Sequence, residues 1–180
     1  MRLILVRHTS VSGTTGLCYG RTEVALADSF VGEAAVVRAA LPPGPWSLHA
    51  SPALRCRRLA ETLGVAVAID ARLQEVHFGD WEGRAWDDLP RKAVDRWCDD
   101  FVATRPPHGE TFAELAARAE NFVADMARGA PAGTVVAVTH AGVIRALLAP
   151  RRGLAYADAF SIAVPPGSAH ILDLPEGSSP

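Results

Sequence analysis

Cysteine is scarce in this 180-residue chain: three residues, Cys18, Cys56 and Cys98, each far from the others. No CxxC pair exists and one thiol is left over. That argues against a disulfide framework and against a thiolate zinc cluster. The expected setting is a reducing one, the cytoplasm. Lysine is almost missing, with Lys92 the only one among 18 basic residues. Coding composition is the simplest account of that bias, so the arginines alone are no anion-binding signal. Neither charge dominates. A formal net charge of −2 supplies no global field for nucleic acid and no acidic tail. Long apolar runs are absent too: nothing approaches the ~20 residues of a membrane span, and the N-terminal run is too short for a signal segment. No repeat or internal linker interrupts the chain. With 49% hydrophobic and 21% charged residues, the composition builds an ordinary core without metals or disulfides. One domain over residues 1–174 is expected, with a flexible tail at 175–180.

Short apolar runs recur at Leu3–Val6, Trp46–Ala50, Val65–Ile69, Val135–Thr139 and Ala169–Leu174, each of strand length. Helical patterns lie between them. Thr111 and Glu114 form a capping box, and an amphipathic stripe follows through Phe112, Leu115, Ala119, Phe122 and Met126. Ser51-Pro52 reads as the N-cap and first position of another helix. A third runs from Asp28 or Ser29 to Leu41, before Pro42-Pro43-Gly44. Alternating strands and helices predict an α/β fold, a three-layer α/β/α sandwich around a mostly parallel sheet. In such a sheet the carboxyl ends of the strands line the ligand crevice.

Two of the predicted strands end on histidine. The first delivers Arg7-His8 after "LILV", and the most hydrophobic one delivers His140-Ala141-Gly142 after "VVAVT". One histidine at a strand end is more often structural than functional. Two at the same edge of one sheet, one beside an arginine, point to a site. A third element is Arg55, in the first turn after Ser51, where a guanidinium and free backbone N–H groups suit phosphate oxygens. Arg57 and Arg58 read as solvated. The fourth is "LQEVHFGDWEG", a Gly-punctuated loop offering Glu75, Asp80 and Glu82.

"LVRHT", "SPALRCRRLAETL", "LQEVHFGDWEG", "HGETFAEL" and "VTHAGVIRALL", in this order from Leu3 to Leu148, resemble the motifs of the histidine phosphatase (phosphoglycerate mutase-like) superfamily. Within it, "GLCYGRTEVAL" and "FGDWEGRAWDDL" are most similar to the alpha-ribazole phosphatase branch. The resemblance implies a phosphomonoester hydrolase in which His8 is the nucleophile and Glu75 the proton donor. Arg7, Arg55 and His140 would surround the phosphoryl group. It implies no metal and no cofactor, because arginines supply the positive charge. Thr9, Thr14, Tyr19, Gly20, Arg21 and Ala141 fall at substrate-facing positions, and Trp81, Trp86 and His108 are candidates for the mouth. The partner is then a small phosphorylated molecule, nucleotide-like in the ribazole case, with no nucleic acid or membrane, and the protein a monomer or homodimer.

Three positions depart from the family pattern. Thr9 stands where glycine is usual, Thr14 where a phosphate-binding Asn is frequent, and Ala141 where the first of two glycines follows the second histidine. Alternatives stay open: a broad phosphatase, a mutase, a phospholigand-binding protein, or a metallohydrolase. The last lacks any H-x-H or H-x-x-x-H spacing. Against a mutase, only about 25 residues separate the Glu75 loop from the Pro106–Glu110 turn, too few for an elaborate cap.

Overall fold

The computed structural model describes residues 1–129 and 133–174; the expected tail at 175–180 lies outside the described residues. Five strands form one sheet: β1 (Arg2–Arg7), β2 (Ser47–Ala50), β3 (Val67–Ile69), β4 (Thr134–Thr139) and β5 (Ala169–Asp173), in the order β3-β2-β4-β1-β5. The first four are parallel, and β5 adds to the edge antiparallel to β1. Five helices accompany them: α1 (Phe30–Ala40), α2 (Leu54–Glu61), α3 (Arg91–Asp99), α4 (Phe112–Gly129) and α5 (Ala141–Arg151).

Strand side chains alternate in direction, so a run that is apolar throughout needs cover on both faces. Leu3 and Leu5 of β1 join Val135 and Ala137 of β4 against α4 and α5. Ile4 and Val6 join Val136 and Val138 against Ala34 and Val37 of α1 and Cys56 and Leu59 of α2. The result is the expected three-layer sandwich. Among the described residues no helix is long and apolar enough to cross a membrane.

The capping box opens α4 as the sequence predicts: the Thr111 amide donates to Glu114 at 2.8 Å, and the Glu114 amide to the Thr111 hydroxyl at 3.1 Å. Ser51 behaves differently from expectation. The N-cap position of α2 is Ala53, two residues after the predicted cap, and Ser51 is fully buried beside His140 instead. α3 carried no clear sequence signal. Its apolar face packs Val94 and Trp97 onto a satellite cluster with Cys18, Trp81 and Leu89.

Candidate active site

Parallel pairing of β1 with β4 sets Arg7 beside Thr139, so the next residue of each strand, His8 and His140, meet at the carboxyl edge. Their ring centroids are 5.3 Å apart, edge to face. Both rings are buried. The His8 Nδ1–H donates to the Thr9 carbonyl at 2.7 Å, because a carbonyl can only accept. Nε2 is then the unprotonated nitrogen, and among the described residues nothing donates to it. Burial, with Arg55 and Arg7 adding to it, lowers the His8 pKa to about 3. The ring is neutral at pH 7, as a nitrogen nucleophile must be.

His140 is fixed by a similar argument. An Arg55 Nη2–H donates to its Nδ1 at 3.2 Å, so Nε2 carries the proton and donates to the Ser51 hydroxyl at 2.8 Å. Burial first, then the charge of Arg55, holds His140 well below the ordinary imidazole range.

Arg55 is completely buried. It donates to the carbonyls of Thr22 (3.0 Å) and Gly20 (2.6 Å). Arg7 donates to the Val164 carbonyl. Each keeps a buried Nε–H with no protein acceptor, and Thr9 keeps a buried hydroxyl in the same condition. Among the described residues, neither Arg7 nor Arg55 pairs with a carboxylate. A fully buried Arg55 and a partly buried Arg7, both without counter-ions, are costly until an anion arrives.

Glu75 enters from the loop after a short 3-10 turn, Ala71–Leu73. The Thr139 hydroxyl donates to the Leu73 carbonyl at 2.6 Å, tying this loop to the strand end that carries His140. Its carboxylate accepts from the amides of Val76 (2.9 Å) and Gly142 (3.1 Å). Arg118 on α4 supports the loop from below, donating to the carbonyls of Arg72, Gln74 and Glu75 and to Glu110. Arg7, His8, Arg55, Glu75 and His140 line one cleft of about 220 Å³, together with Leu17, Tyr19, Phe78 and Trp86.

The other two acids of the loop are occupied. Glu82 accepts the amides of Gly20, Arg21, Thr22 and Phe78 and the Thr22 hydroxyl. Burial pushes its carboxyl up, but these donors, Thr22 foremost, win and hold it below the usual range. Asp80 pairs with exposed His108 at 2.9 Å.

The substrate-facing set divides. Tyr19 and Trp86 line the cleft, whereas Thr9 is fully buried and is not part of its lining. Gly20 gives its carbonyl to Arg55, and glycine is needed there because a Cβ would lie 1.9 Å from the Val76 carbonyl oxygen. Arg21 pairs with Glu110 at 3.3 Å. Thr14, Trp81 and His108 do not line the cleft, whereas Leu17 does; Trp81 is core. Ala141 begins α5, buried, one residue before the Glu75 contact. Sequence reasoning missed Ser51 as a histidine partner, and it missed Arg118. The one available signal was Arg118 itself, a charge on the apolar stripe of α4 between Leu115 and Phe122.

A neutral buried imidazole, two arginines without a carboxylate partner and one carboxylate around a single cleft define a site for transferring an anionic group to a nitrogen nucleophile and on to an acceptor. Comparison with known proteins makes the class definite. The model of the histidine phosphatase superfamily (branch 1) matches residues 3–179, and the chain belongs to that superfamily. It is 29% identical over 186 residues to the adenosylcobalamin/alpha-ribazole phosphatase of Salmonella typhimurium, covering 98% of this chain and 92% of that protein. The alpha-ribazole phosphatase of Shigella flexneri superposes with a TM-score of 0.86 at 27% identity, over 97% of this chain and 91% of that one. A mycobacterial glucosyl-3-phosphoglycerate phosphatase, solved with VO3, superposes with a TM-score of 0.81 at 27% identity, over 96% and 92%. The chain is a phosphatase.

Proposed function

We propose that the chain hydrolyses a phosphomonoester through a phosphohistidine on His8, and that the ester is alpha-ribazole 5'-phosphate. The observation that carries the mechanism is the pair of arginines, Arg55 buried and Arg7 partly so, that face no carboxylate and keep a buried, unpartnered Nε–H beside a neutral ring whose Nδ1 is already committed to the Thr9 carbonyl. His8 Nε2 attacks phosphorus, a P–N bond forms, and the P–O ester bond breaks. The leaving alkoxide takes a proton from Glu75. Water then attacks the phosphohistidine, Glu75 accepts its proton, the P–N bond breaks and inorganic phosphate departs. Arg7 and Arg55 stabilise charge on the equatorial oxygens in both steps. No metal enters this scheme; among the described residues no group of three His, Cys, Asp or Glu side chains is placed to hold one. The three free cysteines, two of them buried, support a reducing compartment.

The ribazole assignment is supported by the two alpha-ribazole phosphatases above and by a cleft whose wall carries Tyr19, Phe78 and Trp86. It is tested by comparing kcat/KM for alpha-ribazole phosphate, adenosine monophosphate, sugar phosphates and phosphoglycerates. A preference of at least ~10²-fold, about 2.7 kcal/mol in the transition state, supports it. A flat profile replaces it with a broad phosphatase. The mechanism is tested separately: quenched turnover should trap an acid-labile, base-stable adduct that His8→Ala abolishes. Activity should survive chelation and be inhibited by vanadate.

A further inference from the structure

The cleft that holds His8 continues into a second pocket, the two sharing Tyr19, Glu75 and Phe78. The second pocket, about 90 Å³, is aromatic, with Trp97, Phe101, Phe112 and Phe160 in its wall. Phe101 meets Phe160 and Phe112 edge to face, with centroids 4.8 and 5.4 Å apart. Phe160 forms the rim and keeps 51% of its surface exposed.

One cation enters this wall. Arg145 of α5 lays its guanidinium 5.0 Å from the Phe160 ring centroid, and its Nε–H donates to the Ile162 carbonyl at 3.1 Å. Among the described residues its two terminal nitrogens donate to no protein group and no carboxylate pairs with it. Burial, with Arg7 nearby, lowers its pKa while Glu75 opposes the shift. A half-buried guanidinium with an idle fork is a donor waiting for an acceptor.

We propose that this pocket is the leaving-group subsite: it takes one flat ring of the alcohol, and Arg145 donates to an acceptor atom on that ring's edge. The inference rests on the reading above that Glu75 serves the leaving oxygen. Glu75 belongs to both walls, so an ester whose phosphorus faces His8 directs its alcohol past Glu75 into the aromatic pocket. The volume admits a single ring and not a whole nucleoside. A ring nitrogen and a ring carboxylate offer Arg145 the same acceptor chemistry.

Four simple esters read the subsite without reference to the natural substrate: ethyl, benzyl, pyridin-3-ylmethyl and 3-carboxybenzyl phosphate. In the wild type, benzyl should exceed ethyl in kcat/KM by about tenfold from burial of the ring. At least one acceptor-bearing ester should exceed benzyl by a further factor of about ten from a charge-assisted hydrogen bond, and which one distinguishes nitrogen from carboxylate. Arg145→Met should erase the acceptor advantage and keep the ring advantage, whereas Phe101→Ala should erase the ring advantage. Each variant meets the same esters as the wild type, so leaving-group acidity and any overall loss of activity cancel in the ratios. Should Phe101→Ala fail to fold, Phe160→Ala at the rim reads the same ratio. The proposal is overturned if the wild type gives the ring no advantage, or if Arg145→Met keeps the acceptor advantage. If these ratios hold while alpha-ribazole phosphate is a poor substrate, the substrate assignment fails and the subsite stands.

Discussion

The carboxylate of Glu75 rests against Gly142: Oε2 accepts the Gly142 amide at 3.1 Å, and a Cβ at position 142 would lie 2.2 Å from Oε1. One contact thus sets the distance between the acid's loop and the helix that follows His140. It also explains why a glycine stands at 142 while alanine is accepted at 141, where the side chain is simply buried.

Gly142→Ala should therefore separate stability from activity. The clash falls on the end of a flexible side chain, so Glu75 moves and the backbone does not. Alanine in a helix is favoured over glycine by about 1 kcal/mol, and the melting temperature should hold or rise. Turnover of an alkyl ester should fall by roughly 10–10²-fold as the proton donor leaves its position. A variant with wild-type turnover on an alkyl ester would show that Glu75 need not sit where it does.

Glu75→Gln should cost roughly 10²–10⁴-fold on the same ester, the usual contribution of a positioned general acid. On p-nitrophenyl phosphate, whose leaving group needs little protonation, the cost should shrink. Steady-state kinetics on both substrates check this. Asp80→Asn showing the same split while Glu75→Gln does not would reassign the acid.

Glu82 should affect a different quantity. Its donors all come from the loop that presents the Gly20 and Thr22 carbonyls to Arg55, plus the Phe78 amide. Without the carboxylate, four partly buried amides lose their acceptor and Arg55 loses its frame. Glu82→Ala should weaken vanadate inhibition by about tenfold or more, the cost of one misplaced charge-assisted hydrogen bond. It should lower kcat/KM alike for alkyl and p-nitrophenyl esters. A loss confined to the alkyl ester would mark Glu82 as a proton donor instead.

Much of this site was legible in the sequence because its scaffold is periodic. Two apolar runs ending on histidine are read from residues 3–8 and 135–140 alone, and parallel pairing then makes His8 and His140 neighbours. The capping box at Thr111 is likewise local. What escaped depends on contacts that no window of sequence contains. Ser51 looks like a helix cap until β2 delivers it to His140. Trp81 looks like a mouth residue until α3 covers it. Arg145 sits in a buried helix and is distinguished only by what surrounds it: a ring on one side, a carbonyl on the other, and nothing at the end of its fork.

The buried imidazoles also set an acid limit on stability, and its sign is determined. The His8 pKa is lowered to about 3, by burial first and then by Arg55. His140 is held well below its ordinary range for the same reasons, and His49 and His170 are lowered chiefly by burial. In the unfolded chain these groups take up protons near pH 6.5. Below that pH the unfolded state binds more protons than the native one, so stability is full above about pH 6.5 and is lost as pH falls toward the folded values. The depressed carboxylates, Glu82, Glu110 and Asp70, titrate in the unfolded chain only near pH 4. The interval from pH 7 to pH 5 therefore isolates the histidines. A site neutral in the native state throughout that interval contributes a drop of about 2 kcal/mol. Urea unfolding at the two pH values should show the wild type losing stability on acidification, and His8→Asn losing about 2 kcal/mol less across the same interval, whatever its absolute stability. An equal drop in wild type and variant would mean that His8 is already protonated in the folded protein at pH 5, and a ring protonated there is not the neutral nucleophile that the Thr9 contact implies.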